Sequence, residues 1–61
     1  MAGEKRFSEV RRMLEARGYT LARISGSHHV FTKPGARAVP IPVHKGMVKP
    51  AYVRLVKKLE A

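Results

Sequence analysis

The stretch Tyr19-Thr20-Leu21-Ala22-Arg23-Ile24-Ser25-Gly26-Ser27-His28-His29-Val30-Phe31-Thr32-Lys33 decides how this chain folds. Residues 19–25 are rich in β-branched and aromatic side chains, Gly26-Ser27 supplies a turn, and residues 28–33 return with a similar composition. Such a run predicts an antiparallel hairpin. Pro34-Gly35 marks a second turn, and residues 38–43 form a third strand with Val39, Ile41 and Val43 on one face. Pro40 and Pro42 stand two apart in that strand, so both missing N–H donors fall on the same side. The third strand therefore belongs at a sheet edge, with its proline side turned away from its neighbour, an arrangement that also discourages edge-to-edge aggregation.

Working outward, residues 1–5 read as a short polar lead-in. Phe7, Val10, Met13 and Leu14 recur at spacings of three and four, which predicts a helix over residues 7–17 with one apolar face. Ser8 is the expected N-cap, with Glu4 as a start one turn earlier, and Gly18 ends the helix by accepting a left-handed conformation. On the other side, His44-Lys45-Gly46 breaks the strand pattern, and Pro50 suits the first turn of a second helix reaching about Leu59. Tyr52, Leu55, Val56 and Leu59 form its apolar face; Lys49, Arg54, Lys57 and Lys58 surround the other. Leu14, Leu55 and Leu59 are expected in the core, and Tyr19 and Phe31 are spaced for core packing rather than base stacking. The fold class is α+β in the order αβββα: a three-stranded antiparallel sheet with two helices on one face.

Sixty-one residues make one domain, spanning residues 1–61. A chain of this size buries only about 60% of the surface it exposes when unfolded. The apolar share of 44% is nevertheless that of a folded protein. Cysteine is absent, so neither disulfides nor thiolate metal sites contribute. No run approaches a membrane span or the apolar core of a signal peptide, so the expectation is a soluble, cytoplasmic protein with no membrane partner. Thirteen Lys and Arg against four Glu give a net charge of +9. Concentrated on so small a surface, that charge points to a polyanionic partner, RNA above anionic lipid, because neither helix pairs a basic face with bulky aromatic anchors.

The three histidines carry the chemical interest. An imidazole can accept or donate a proton near neutral pH, which is what RNA cleavage without a metal requires. One group must help the ribose 2′-hydroxyl attack the phosphate, another must protonate the leaving oxygen, and nearby Arg or Lys can stabilise the charged phosphorane. His28 and His29 are neighbours on a strand and point to opposite faces, so only one of them serves a given site. Composition and periodicity do not say which. Gly26 serves the turn, Ser27 bonds the turn or a phosphate, and His44 is a candidate helper. Arg23, Lys33, Arg37, Lys45 and Lys49 are candidate phosphate contacts, and His29 is either structural or a secondary RNA contact. The histidines and glutamates do not gather as metal ligands, and no cofactor is expected.

The runs Gly18-Tyr19, Arg23-Ile24-Ser25-Gly26-Ser27-His28-His29-Val30-Phe31 and Val39-Pro40-Ile41-Pro42-Val43-His44, in this order and spacing, resemble the HicA toxins. These are small messenger-RNA interferases of bacterial and archaeal toxin–antitoxin pairs. The resemblance implies a double-stranded-RNA-binding-like fold, cleavage of messenger RNA that blocks translation, His28 as the catalytic histidine, and a HicB-like antitoxin partner that covers the site. The free protein is expected to be a monomer. A rival reading from the residues alone is a non-catalytic RNA-binding module of the same fold.

Overall fold

In a computed structural model, which describes residues 3–59, the chain runs β1 (Lys5–Arg6), α1 (Phe7–Ala16), β2 (Thr20–Ser25), β3 (His28–Thr32), β4 (Val39–Pro42), β5 (Met47–Val48) and α2 (Pro50–Lys58). The expected hairpin is β2–β3, and β4 adds to its other side, giving an antiparallel sheet in the order β2-β3-β4. With the two helices this is the αβββα architecture of the α+β class. β4 lies at the edge, as its prolines require. Pro42 stands opposite His28 and Pro40 opposite Val30, while the intervening Ile41 pairs with His29. One residue beyond the strand, the Val43 N–H donates to the Ser27 carbonyl at 2.8 Å, so the donors alternate with the prolines and no ladder bond is lost.

A second, two-stranded sheet joins β1 to β5, with Lys5 opposite Val48 and Arg6 opposite Met47. Lys5 is thus part of a strand rather than of a polar lead-in. Two-residue strands are too short to leave a periodic trace, and this one exists only because β5 is there to pair with it. The same junction replaces the expected helix cap. The N-cap is Arg6, without a side-chain cap, and Ser8 lies inside the first turn of α1. Instead, the Phe7 N–H donates to the Gly46 carbonyl at 2.8 Å, so a tertiary hydrogen bond does the work of a serine.

The far end of α1 closes as expected. Gly18 takes φ +88°, its N–H donates to Glu15 O, and the Tyr19 N–H donates to Leu14 O, both at 3.0 Å. That pair of bonds is a Schellman motif. Arg17 then ties the two helices together: its Nη1 donates to Met13 O at 2.9 Å and its Nε to Leu59 O at 3.1 Å. Arg17→Ala removes both part-buried bonds and should cost about 1–2 kcal/mol. For a domain of this size that lowers Tm by roughly 4–16 °C. Thermal unfolding followed by circular dichroism reads it directly, and an unchanged Tm would show that the clamp contributes nothing.

Both helices deliver side chains to one core. Val10 and Leu14 of α1, Val53 and Val56 of α2, Phe31, Val39 and Ile41 of the sheet, with Tyr19 and Val48, form a single buried cluster. One expectation fails here: Leu55 is 43% exposed, and Val53 takes the inward place. The apolar stripe of α2 is wide enough to be buried about either flank, and its packing beside α1 turns the Val53–Val56 flank inward. Leu59 and Val43 are half-buried at the margin of the core.

Candidate nucleic-acid interface

The site begins with a glycine. Gly26 takes φ +60°, which a two-residue reversal needs and which a side chain would strain. The turn is held from outside by the Val43–Ser27 hydrogen bond, so the start of β3 is fixed against the end of β4. His28 occupies that start and is exposed.

Cross-strand partners share a face of a sheet. Ser25, His28 and Pro42 form one row, and Arg23, Val30 and Pro40 form the next, so Arg23 and His28 emerge on the same side. The alternate rows, Ile24-His29-Ile41 and Leu21-Phe31-Val39, point the other way, where Ile41, Phe31 and Val39 are buried against the helices while Ile24, at the end of β2, stays 59% exposed. The rings bear this out: Phe7 of α1 sits 4.5 Å from the His29 ring and 6.0 Å from Phe31 between centroids. His29 is half-buried, with its Nδ1 shielded and without a hydrogen-bond partner. Neighbouring histidines therefore have opposite situations, one open and one packed.

Arg23 reaches its place through a bulge. The register jumps between Leu21 and Arg23, passing over Ala22. Without that extra residue Arg23 would fall opposite His29, on the helix side; with it, Arg23 falls opposite Val30, diagonal to His28. Diagonal Cα positions of this kind lie about 7–8 Å apart, within reach of an arginine side chain. Bulges re-aim side chains in this way beside functional sites.

His44 and Lys45 come to the same end of the molecule by a second tight turn. His44 and Met47 exchange backbone hydrogen bonds of 3.0 and 2.8 Å, with Lys45 at φ +51° and Gly46 at φ +77° between them. Two successive positive φ values make a type I′ reversal, whose first position usually falls to Asn, Asp or Gly. Lys45 is the one non-glycine with positive φ among the described residues. A lysine held there costs about 1–3 kcal/mol, strain that the flanking pairs must carry.

Beyond this turn, Glu4, Pro42, His44, Met47, Lys49 and Tyr52 line a cleft of about 170 Å³. Of these, the sequence singled out only His44 and Lys49 as site residues. Tyr52 was readable as apolar-face material and Pro42 as an edge proline, but nothing local marks Glu4.

The candidate contacts thus divide. Arg23, Ser27, His44, Lys45 and Lys49 lie toward the His28 end. Lys33 follows the other end of β3, roughly 17 Å away along the strand; its ammonium stands 5.4 Å over the Tyr19 ring. Arg37 is exposed in the loop between β3 and β4, also away from His28. Among the described residues, no three His, Cys, Asp or Glu side chains come together as a metal cage requires, and no helix is long and apolar enough to cross a membrane.

Fold and site define a class: a small, strongly basic αβββα domain that presents one histidine on the sheet face its helices leave open. The particular family follows from comparison with known proteins. A family model described as HicA toxin of bacterial toxin-antitoxin matches residues 7–60. The chain belongs to the HicA toxin family, and is thereby the toxin of a toxin–antitoxin pair whose partner is a HicB antitoxin. Comparisons with curated proteins and with solved structures give no significant match.

Proposed function

We propose that this toxin is a ribonuclease that cleaves messenger RNA without a metal ion, with His28 moving the proton, and that it blocks translation in this way. The observation that carries the reading is the placement of His28: exposed, on the open face, and diagonal to Arg23. In the reaction the 2′-oxygen bonds to phosphorus, the 5′-oxygen leaves, and a 2′,3′-cyclic phosphate and a 5′-hydroxyl result. The His28 imidazole takes the 2′-hydroxyl proton or supplies the one the leaving oxygen needs. Arg23, with Lys45 and Lys49 further along the same end, stabilises the charge that develops on the phosphorane. His44, near the cleft, is placed to assist. Ser27, beside His28, contributes a phosphate contact, while Lys33 and Arg37 hold the strand farther from the cut. His29, packed under Phe7, serves mainly to seat the start of β3. The double-stranded-RNA-binding-like character of the fold leaves an RNA backbone free to cross the sheet face, and the HicB partner silences the toxin by covering that face. The free toxin acts as a monomer in the cytoplasm.

The decisive assay incubates the antitoxin-free protein with RNA in chelator. Products with 2′,3′-cyclic phosphate ends are expected; intact RNA would leave only a non-catalytic RNA-binding module. Binding is read separately by salt titration. Five cationic phosphate contacts predict a log–log slope near −3.5, hence about a 130-fold loss of affinity between 50 and 200 mM salt. A flat response would remove the electrostatic basis of the reading.

A further inference from the structure

The cleft between the N-terminal segment, the β4–β5 turn and α2 lends His44 and Lys49 to the steps above, but its other lining residues, Glu4, Pro42, Met47 and Tyr52, take no part in them. We propose that this cleft binds a nucleobase adjacent to the scissile phosphate and favours bases that present an amine, guanine most of all. The proposal rests on reading His28 as the point of RNA cleavage.

Position comes first. Pro42 lines the cleft and is also the cross-strand partner of His28. The two belong to a pair without ladder hydrogen bonds, in which Cα atoms lie about 4.5 Å apart. The cleft therefore opens one strand over from the histidine, a displacement that one nucleotide spans. Its size comes second. At about 170 Å³ it is smaller than the 300–1,000 Å³ typical of sites for drug-sized ligands, and suits a single planar ring system.

The lining chemistry names the ligand. Tyr52, Met47 and Pro42 are all half-buried and offer flat, soft or apolar surface on which a base can lie. Lys49 and His44 offer donors. Glu4 is the informative residue. It is one of only four carboxylates against thirteen Lys and Arg, and among the described residues it makes no hydrogen bond or ion pair. A carboxylate repels phosphate, so its presence in the cleft does not serve the RNA backbone. It can only accept hydrogen bonds, and a base edge supplies donors. Guanine presents two adjacent donors, N1–H and the N2 amine, to one carboxylate. Adenine and cytosine present an amine beside a ring acceptor. Uracil flanks its single N–H with carbonyl oxygens that Glu4 repels.

The test uses short RNAs identical except for the base on either side of the cut. The wild type should cleave the guanine substrate about 10-fold faster than the uracil one at one of the two positions. Glu4→Gln should bring that ratio to within about 2-fold, because an amide both donates and accepts. Tyr52→Ala should raise KM for all four bases, and Tyr52→Phe should not. The same oligonucleotides are also bound to His28→Ala and to the His28→Ala, Glu4→Gln double variant, read by fluorescence anisotropy. Loss of the guanine preference with Glu4→Gln in that binding arm supports the base subsite even if the wild type fails to cut, which would overturn only the ribonuclease reading. Base preference unchanged by Glu4→Gln, or no position where base identity matters more than about 2-fold, overturns the subsite whatever the cleavage result. Glu4 is exposed and unbonded, so the Gln variant should fold as the parent does.

Discussion

His28→Ala is expected to lower RNA cleavage by roughly 10²–10⁴-fold, the usual contribution of a positioned proton-transfer group, while leaving the protein folded and its RNA affinity within a few-fold. The split follows from where the side chain lies. His28 is exposed, belongs to no part of the buried cluster, and its side chain makes no hydrogen bond among the described residues, so its truncation opens no cavity and strands no polar partner. Affinity for the RNA backbone comes from the cations, which the variant keeps. Single-turnover cleavage, anisotropy binding and thermal unfolding on the same preparation read the three quantities apart. In cells, the variant should be tolerated without the antitoxin. A variant that cuts at the parental rate would exclude His28 from the chemistry. His29→Ala is the informative contrast: its ring packs on Phe7, so its effect should come through stability and reach binding and cleavage together.

Phe31→Ala should be the most damaging single truncation. Phe31 is fully buried in the central strand, and it is the largest of the fully buried side chains. Its ring lies 6.0 Å from that of Phe7 and its cross-strand partners are Leu21 and Val39, so α1 and all three strands of the sheet meet around it, in the same buried cluster as Val53 and Val56 of α2. Truncations of this kind cost about 3–5 kcal/mol, from lost transfer energy and from the cavity left behind. At 0.05–0.15 kcal/mol per residue, a domain of this length holds only about 3–9 kcal/mol in total. Much or all of the stability is therefore lost, and RNA binding and cleavage should vanish together, unlike in His28→Ala. Phe31→Leu, which refills most of the volume, should recover a cooperative urea transition. A Phe31→Ala protein with the parental urea midpoint would mean that the core is organised elsewhere.

Features that depend on a few adjacent residues are legible in the sequence alone. The Gly26-Ser27 turn, the Gly18 helix end, the proline start of α2 and the edge position of the Pro40-Pro42 strand each rest on a local backbone preference, and each stands where expected. So does the separation of His28 from His29, which follows from the alternation of a strand. Features that depend on a distant partner are not. β1 exists because β5 lies beside it, and Arg6 rather than Ser8 precedes α1 because a carbonyl from Gly46 arrives there. Val53 rather than Leu55 is buried because α2 packs beside α1 on one of the flanks that its apolar stripe permits.

The site divides along the same line. By itself the sequence determined the turn, the basic charge and the pair of histidines facing opposite ways, since short-range geometry and composition suffice for these. Only the tertiary structure decided which of the two faces stays open, because that depends on where the helices pack. It also decided that the bulge at Ala22 turns Arg23 toward His28, and that Glu4, His44 and Tyr52 meet in one cleft. Those three residues come from three separate parts of the chain, and no local preference couples them; they are neighbours because burial of the common core folds their segments together.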